Sequence, residues 1–171
     1  MIPAWVDGRL EPAEKIEVHR RGLRHPAVSV FVLDGARTLL QRRAMAKYHT
    51  PGLWANACCT HPRWGEAPAG CAARRLREEL GVEGLALEWR ERVAYRADVG
   101  GGMVEDEVVE LFVAEAAPWL RLAPDPAEVM DARWVGVGEL RGEITARPEA
   151  FTPWLRIYLA EHAERLFGRA A

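Results

Sequence analysis

The sequence predicts an α/β (α+β) fold, in which a mixed β-sheet is flanked by helices on both faces. Its 171 residues are 49% hydrophobic, which suits one domain with a sizeable core. Short apolar and β-branched runs end at turn residues, which is typical of strands. Two longer segments show helical spacing, and strands interleaved with helices favour a layered sandwich.

The strands are predicted from apolar runs bounded by turn residues. The first run is β-branched, and the Asp-Gly turn that follows it leads into a partner strand. Three consecutive glycines, at 100–102, join two later strands. The predicted strands are 27–33, 38–43, 86–96, 103–114 and 133–137.

Two principal helices are predicted. Residues 68–80 begin with a proline, repeat apolar side chains every four residues and are followed by Gly81. These features are the start, the buried face and the stop of an amphipathic helix. Residues 154–167 are predicted to form a closing helix. Because the chain shows no repeat, long linker or low-complexity segment, residues 1–171 are predicted to form a single domain.

The charge balance limits the partners of the chain. A net charge of −2 argues against nucleic acid or a membrane surface as a partner. No stretch approaches the ~20 apolar residues of a membrane span, and the N-terminus lacks a signal-like pattern. The three cysteines do not form a disulfide framework. We therefore expect a cytoplasmic protein that holds any anionic substrate through local bases or a metal ion.

The most informative stretch is Asn-Ala-Cys-Cys-Thr-His-Pro, residues 56–62. Cys59 and His61 are two residues apart, so their side chains point to the same side of an extended segment. A thiol can exchange protons, attack an electrophile or bind a soft metal, and an imidazole can bind a metal or carry a proton. The stretch indicates a reaction centre whose type it leaves open.

A second cluster is Glu105-Asp106-Glu107. In a strand its two glutamates project from one face, and they stay ionised together only if a cation or donors lie between them. The alternative is a solvated acidic strand end. Three imidazoles would complete an octahedral site for Mn²⁺ or Zn²⁺ with these carboxylates, and they are His19, His25 and His61. No such neighbouring ligands are predicted for the other two histidines, His49 and His162.

The helix 68–80 carries charged residues with two interpretations. Arg75 and Glu79 are four residues apart and share a face, so they suit an intrahelical salt bridge. They also suit a diphosphate site, in which Glu79 holds Mg²⁺ and Arg75 contacts phosphate. A second basic group lies just upstream, at Arg42, Arg43 and Lys47.

This helix and its approach resemble the Nudix motif, G-x₅-E-x₇-R-E-U-x-E-E-x-G-U, in which U is aliphatic. Thr60 stands at the first glycine, and Arg75 stands at the glutamate that follows Arg74. The later pair of glutamates is retained. The resemblance implies a Nudix-like α/β/α sandwich, while the lost glutamate argues against ordinary Nudix pyrophosphohydrolysis.

Four further elements resemble the type I isopentenyl-diphosphate Δ-isomerases. Residues 54–62 match that family's W-x-N-x-x-C-x-H-P stretch, and 105–107 match its E-x-E. Residues 128–134 match its E-V-M-D…W element, and 151–154 match its F-[ST]-P-W. Together with the Nudix-like helix, the elements follow the family's order from about Lys15 to Trp154.

The resemblance implies an isomerase of isoprenoid precursor biosynthesis. It would catalyse the reversible 1,3-allylic proton shift of isopentenyl diphosphate to dimethylallyl diphosphate. By position, Cys59 and Glu107 would handle protons on opposite faces of the substrate, and Tyr95 would assist at the carboxylate. Trp154 would place its π-face against the carbocation-like centre, which such a face stabilises by roughly 0.5–2 kcal/mol.

The same resemblance implies the ligands and the metal ions. A divalent ion, Mn²⁺ or Zn²⁺, would be bound by His19, His25, His61, Glu105 and Glu107. Mg²⁺ would be bound through the substrate diphosphate by Glu79. The bases that contact the diphosphate would be Lys15, Arg43, Lys47 and Arg75.

Rival functions remain open at this point. One is a Nudix pyrophosphohydrolase of a nucleoside or prenyl diphosphate, which would release phosphate or pyrophosphate. Another is a catalytically silent metal-binding or regulatory Nudix domain, although such a domain has no need of Cys59. The flavin-dependent type II isomerase is disfavoured because the chain is short for a (β/α)₈ barrel. The oligomeric state is left open between a monomer and a weak dimer.

Overall fold

The structure, a computed structural model, describes residues 1–168, so the last part of the predicted domain, 169–171, lies outside the described residues. The strands are β1 (Ile2–Val6), β2 (Arg9–Ala13), β3 (Arg24–Asp34), β4 (Arg37–Arg43), β5 (Trp54–Asn56), β6 (Cys58–Thr60), β7 (Glu88–Gly100), β8 (Met103–Glu115) and β9 (Val129–Gly136). The helices are α1 (Lys15–Arg21), α2 (Pro68–Leu80), α3 (Val137–Ala146), α4 (Pro153–Glu161) and α5 (Ala163–Phe167), and Pro148–Ala150 form a 3₁₀ turn.

A seven-stranded mixed sheet forms the centre of the described part of the molecule. Its main path has the order β5-β4-β3-β8-β7, with β6 paired to β3 and β9 paired to β4. The β3–β8 pair is parallel, whereas the other pairs are antiparallel. A separate hairpin is formed by β1 and β2. The mixed sheet predicted from the sequence is therefore confirmed.

Strand β3 shows why the sheet has helices on both faces. Its side chains alternate between two apolar clusters, with Phe31 in one cluster and Val30 and Val32 in the other. The first cluster includes residues of α3, α4 and α5, and the second includes the apolar face of α2. A strand buried on both faces has a continuous apolar sequence, which is why this segment is so clear in the sequence.

Helix α2 has the predicted bounds. Leu76 and Leu80 are buried as its spacing requires, and the helix ends at Gly81, whose φ of 67° is left-handed. A Cβ at this glycine would lie 2.7 Å from the Cβ of Ala123. Close packing and backbone conformation therefore both require glycine at this position.

Both predicted helical segments are helical in the structure, but residues 1–168 contain five α-helices in all. The predicted closing helix 154–167 is divided at His162, whose φ of −123° and ψ of 6° interrupt the helical backbone. The His162 ring lies 3.1 Å from a carboxylate oxygen of Glu91 on β7, a contact that sequence periodicity cannot show. Several short or partly exposed elements were not predicted from the sequence. They are helix α1, helix α3, the β1–β2 hairpin and the three-residue strands β5 and β6.

The limits of the predicted strands differ from those in the structure, most of all for two strands. The predicted strand 86–96 is observed as Glu88–Gly100, and the predicted strand 133–137 is observed as Val129–Gly136. Their pairing with β8 and β4 sets these limits. Within residues 1–168, no helix has both the length and the apolar character needed to cross a membrane.

Candidate active site and metal centre

The parallel pairing of β3 with β8 assembles the centre of the site. It places His25 directly opposite Glu107, and β6, which also pairs with β3, leads into His61. Helix α1 adds His19, which is buried. Glu105 and Glu107 are both buried at one face of β8, so the predicted strand geometry of the two glutamates is confirmed and a solvated strand end is excluded.

Four of the predicted metal ligands converge. The Nε2 atoms of His25 and His61 are 3.1 Å apart, and His61 Nε2 lies 2.8 Å from a carboxylate oxygen of Glu107. With His19, these groups bring four ligand atoms to within 4.8 Å of one another, and all four residues are buried. Such a cluster of imidazoles and carboxylate is suited to a first-row divalent ion.

The hydrogen bonds of two rings show that this cluster fits a metal ion. The Nδ1–H of His19 donates to the Lys15 carbonyl at 2.6 Å, and that of His25 donates to the Leu23 carbonyl at 2.7 Å. In a neutral ring the Nε2 atom is then left with a lone pair, which is how metal-binding histidines are oriented. Burial lowers the pKa of His19 to about 4 and the pKa of His61 well below its usual range, so both rings are neutral near pH 7.

Tyr95 links the two carboxylates. Its hydroxyl oxygen lies 2.9 Å from Glu105 Oε2 and 2.7 Å from Glu107 Oε2. Burial, and then the charge of Glu107, raise the pKa of Glu105 well above its usual range. Burial also favours a higher pKa for Glu107, but close contacts with the His25 and His61 imidazoles outweigh it and hold that pKa well below its usual range. Without an ion, a proton shared by the pair therefore favours Glu105 over Glu107.

The prediction that His49 has no neighbouring metal ligands is wrong. His49 is buried and its Nε2 lies 3.3 Å from Glu105 Oε1. Glu105, the fifth predicted ligand, groups with His19 and His49 and not with His25, His61 and Glu107. The sequence signal for this residue is weak, since only its place shortly after Arg43 and Lys47 connects it to the site. His162, by contrast, lies apart from the site against Glu91.

A small cavity is lined by most of the predicted site residues. Its volume is about 10 Å³, which is about the space that one water molecule needs. The predicted residues that line it are Lys15, Arg43, Lys47, Cys59, His61, Arg75, Glu79, Glu105, Glu107 and Trp154. Tyr48, His49 and Thr60 also line it and were not predicted. A ligand larger than a water molecule would require this cavity to widen.

The two neighbouring cysteines have different surroundings. Cys59 lines the cavity and packs against the first apolar cluster, whereas Cys58 lies in the second cluster beside α2. Burial, and then the charges of Glu107 and Glu105, raise the pKa of Cys59 well above its usual range. The Cys59 thiol is therefore protonated at neutral pH and can act as a proton donor.

Basic side chains crowd one side of the cavity. Burial, and then the positive charges of Lys47 and Arg75, lower the pKa of Lys15 to about 8. Lys47 forms an ion pair with Glu128, and Arg75 lies 3.3 Å from the same carboxylate. The mutual repulsion of these cations would be relieved by an anion in the cavity.

Glu79 and Arg75 form the intrahelical salt bridge that one interpretation expected, at 2.5 Å. Gln41 also donates to Glu79, at 2.8 Å. Because both partners line the cavity, this salt bridge does not exclude a role in binding. Trp154 is buried at the same cavity, with the Arg43 guanidinium 5.3 Å from its ring centroid.

The fold and the site define the class of protein. The sequence model described as NUDIX domain matches residues 23–155. A solved MutT NUDIX hydrolase from Burkholderia pseudomallei is similar in structure, with a TM-score of 0.64 and 20% identity over 81% of this chain and 98% of that one. At this identity the likeness bears on the fold alone, and it confirms the expected Nudix-like sandwich.

Curated relatives narrow this class. A Cereibacter sphaeroides protein named isopentenyl-diphosphate Delta-isomerase is 64% identical over 99% of this chain and 96% of its own length. A protein of the same name from Dinoroseobacter shibae is 62% identical over 100% of this chain and 97% of its own length. The chain belongs to the Nudix family and, within it, to the isopentenyl-diphosphate Delta-isomerases.

Proposed function

We propose that this chain interconverts isopentenyl diphosphate and dimethylallyl diphosphate by proton transfer, with Cys59 and Glu107 as the acid–base pair. The observation that carries the proposal is the lining of one small cavity by the Cys59 thiol, the Glu107 carboxylate and four basic side chains. The raised pKa of Cys59 and the lowered pKa of Glu107 suit an acid and a base, respectively. The family assignment favours this reaction over pyrophosphate hydrolysis.

The protonation states suit a defined sequence of transfers. The Cys59 thiol donates its proton to C4, and the electrons of the C3=C4 double bond form the new C–H bond. The Glu107 carboxylate then removes a proton from C2, and the electrons of that C–H bond form the C2=C3 double bond. A proton returns from Glu107 to Cys59 before the next cycle. In the reverse reaction the two groups exchange roles.

Trp154 and Tyr95 have supporting roles in this scheme. Electron density is lost at C3 between the two transfers, and the Trp154 indole at the cavity wall stabilises that cation by roughly 0.5–2 kcal/mol. An indole face offers no lone pair that would trap the cation. Tyr95 holds the Glu107 carboxylate through the 2.7 Å contact with its hydroxyl, and this contact orients Glu107 toward the substrate.

The diphosphate serves as an anchor, since no bond to phosphorus changes in the reaction. Lys15, Arg43, Lys47 and Arg75 line the cavity and would contact the diphosphate oxygens. The two ion pairs made by Lys47 and Arg75 with Glu128 would be exchanged for contacts with the substrate. Closure of the cavity around the bound substrate would exclude the water that a hydrolase needs.

Two metal ions belong to the proposal. Mn²⁺ or Zn²⁺ would be held by His19, His25, His61, Glu105 and Glu107, and Mg²⁺ would be held by Glu79 with the diphosphate. When bound, the first ion supplies positive charge that keeps the paired carboxylates ionised, and the second neutralises the diphosphate. Among the residues of this chain, Arg75 keeps Glu79 in place through their salt bridge.

We also propose a single domain that acts in the cytoplasm as a monomer or weak dimer. The two apolar clusters share the same central sheet, which supports one folding unit. The cysteines of the described residues are free thiols, as expected in a reducing compartment.

The reaction is tested by NMR of isopentenyl diphosphate mixed with the protein, Mg²⁺ and Mn²⁺. We expect the methyl signals of dimethylallyl diphosphate to appear while the ³¹P signals of the diphosphate persist. In deuterated water, deuterium should enter the product methyl group. Release of phosphate or pyrophosphate without isomerisation would instead identify a hydrolase and refute the proposal.

A further inference from the structure

His49 is the one buried imidazole of the site that the proposed metal centre does not use. Its Nε2 atom has no hydrogen-bond partner among the described residues, yet it lies 3.3 Å from Glu105 Oε1. His19, His49 and Glu105 place three ligand atoms within 4.8 Å of one another. A buried nitrogen without a partner costs free energy, and a ligand bound at His49 Nε2 would offset that cost.

The residues around His49 hold its ring with the Nε2 atom facing the proposed metal centre. Arg43 Nη2, which can only donate, lies 3.4 Å from His49 Nδ1 and 3.1 Å from the His49 carbonyl. The Thr50 hydroxyl lies 3.1 Å from the same Nδ1, so it can accept the ring proton when Nε2 binds a ligand. Thr50 itself has a φ of +46°, a conformation that a β-branched residue rarely adopts. The chain therefore accepts local strain beside His49, as is common at functional sites.

His19 connects the two groups of ligands to one ion rather than two. Its Nδ1–H is already bonded to the Lys15 carbonyl, so His19 has only Nε2 available and can bind a single ion. Imidazoles at neighbouring positions of one octahedral ion, at N–metal distances of ~2.1 Å, have ring centroids about 4.7 Å apart.

The observed ring separations are close to that value. They are 4.9 Å between His19 and His25, 5.0 Å between His19 and His61, and 5.4 Å between His19 and His49. Glu105 belongs to the group of His49, and it lies beside Glu107 of the other group because the Tyr95 hydroxyl contacts both carboxylates. Opposite ligand atoms of such an ion would lie ~4.2 Å apart, so the two groups, whose atoms do not all lie within 4.8 Å of one another, would draw together around a single ion.

We propose that His49 is a sixth protein ligand of the divalent ion, beside His19, His25, His61, Glu105 and Glu107. The inference deepens the metal centre of the proposed function and rests on it. Six protein ligands leave no coordination position for water or substrate. The ion then acts through its charge and through its hold on the carboxylates, and it supplies no bound hydroxide, which would favour hydrolysis.

The test uses the full-length protein stripped of metal and titrated with Mn²⁺ alone. Half an equivalent of Mn²⁺ is added, and water-proton relaxation measures how many water molecules the bound ion carries. Free Mn²⁺, measured by EPR, gives the Kd. We expect no coordinated water in the wild-type protein. His49→Ala should admit one water molecule and raise the Kd at least about 10-fold, since even the loss of a residue that only orients a ligand has that effect.

Two further variants make the result interpretable. His162→Ala removes a histidine that lies apart from the site against Glu91 and should change neither the hydration nor the Kd. If His49→Ala does not fold, His49→Phe keeps an aromatic ring beside Trp154 and removes the nitrogen, so the Kd should still rise. Coordinated water in the wild type, or an unchanged Kd and hydration in the His49 variants, would overturn the inference.

This experiment separates the inference from the proposed function. It contains no substrate, so the hydration and the Kd do not depend on catalysis. A wild-type protein that binds Mn²⁺ without coordinated water but fails to convert isopentenyl diphosphate would refute the proposed function alone. A protein that isomerises the substrate but carries water on its Mn²⁺ would refute only the role of His49.

Discussion

Tyr95→Phe is the most direct test of how the two carboxylates are organised. The substitution keeps the ring and its packing and removes one oxygen, which lies 2.7 Å from Glu107 and 2.9 Å from Glu105. A hydrogen bond to a charged group contributes about 1.5–3 kcal/mol. If that free energy serves to orient Glu107 for proton transfer, its loss lowers kcat by about 10- to 150-fold, at ~1.4 kcal/mol per factor of ten.

The substrate affinity should respond differently from kcat in this variant. The Tyr95 hydroxyl contacts the carboxylates of Glu105 and Glu107, whereas the proposed diphosphate contacts are made by the four basic side chains, so KM should change by less than about threefold. The assay follows dimethylallyl diphosphate by NMR at several substrate concentrations. The ellipticity at 222 nm and the Mn²⁺ content establish that the variant is folded and loaded.

Tyr158→Phe is the matched control for this experiment. Tyr158 is buried and packs edge-on against Tyr95, with ring centroids 6.0 Å apart, but its hydroxyl has no hydrogen-bond partner in the described structure. Its removal should leave kcat unchanged. A Tyr95→Phe enzyme with wild-type kcat, or equal losses in both variants, would refute the idea that Tyr95 positions Glu107.

Two further predictions concern single residues. Cys59→Ala should lower kcat by about 10²–10⁴-fold, the range for a lost acid–base group, and should leave the Mn²⁺ affinity measured by EPR unchanged. The matched variant Cys58→Ala should retain turnover. An active Cys59→Ala enzyme would exclude the thiol as proton donor. Hydrogen bonding from Arg74 lowers the pKa of Glu66 to about 2, below its unfolded value of about 4.3. The stabilisation by Glu66 is therefore complete above about pH 4.3 and is lost as the pH falls toward 2. In urea unfolding at pH 2–6, the free energy of unfolding should depend less on pH for Glu66→Gln than for the wild type. Identical pH dependence in the two proteins would contradict this.

The sequence specified the centre of the fold well and its periphery poorly. Strand β3 and helix α2 were predictable because each buries a continuous or periodic apolar face. The two-residue spacing of Glu105 and Glu107 was sufficient to place both carboxylates on one face. The division of the last helix at His162 depends on a contact with β7, which lies far away in the sequence, so local spacing could not reveal it.

His49 shows the corresponding limit for the site. Its position depends on the left-handed backbone of Thr50 and on the side chain of Arg43, neither of which forms a recognisable pattern in the sequence. The ion pairs that now engage Lys47 and Arg75 were also unpredicted, because Glu128 comes from a distant segment. Motifs identified the residues of the site, while their pairing required the tertiary structure.

The parallel register of β3 and β8 has a consequence for how the protein folds. His25 is opposite Glu107 only in this register, and a slip of one residue would place Pro26 there and turn the imidazole to the other face of the sheet. A metal ion that binds both residues therefore stabilises one strand alignment over every shifted one. Binding of such an ion would therefore favour the native strand register during folding, because a chain with misaligned strands could not hold it.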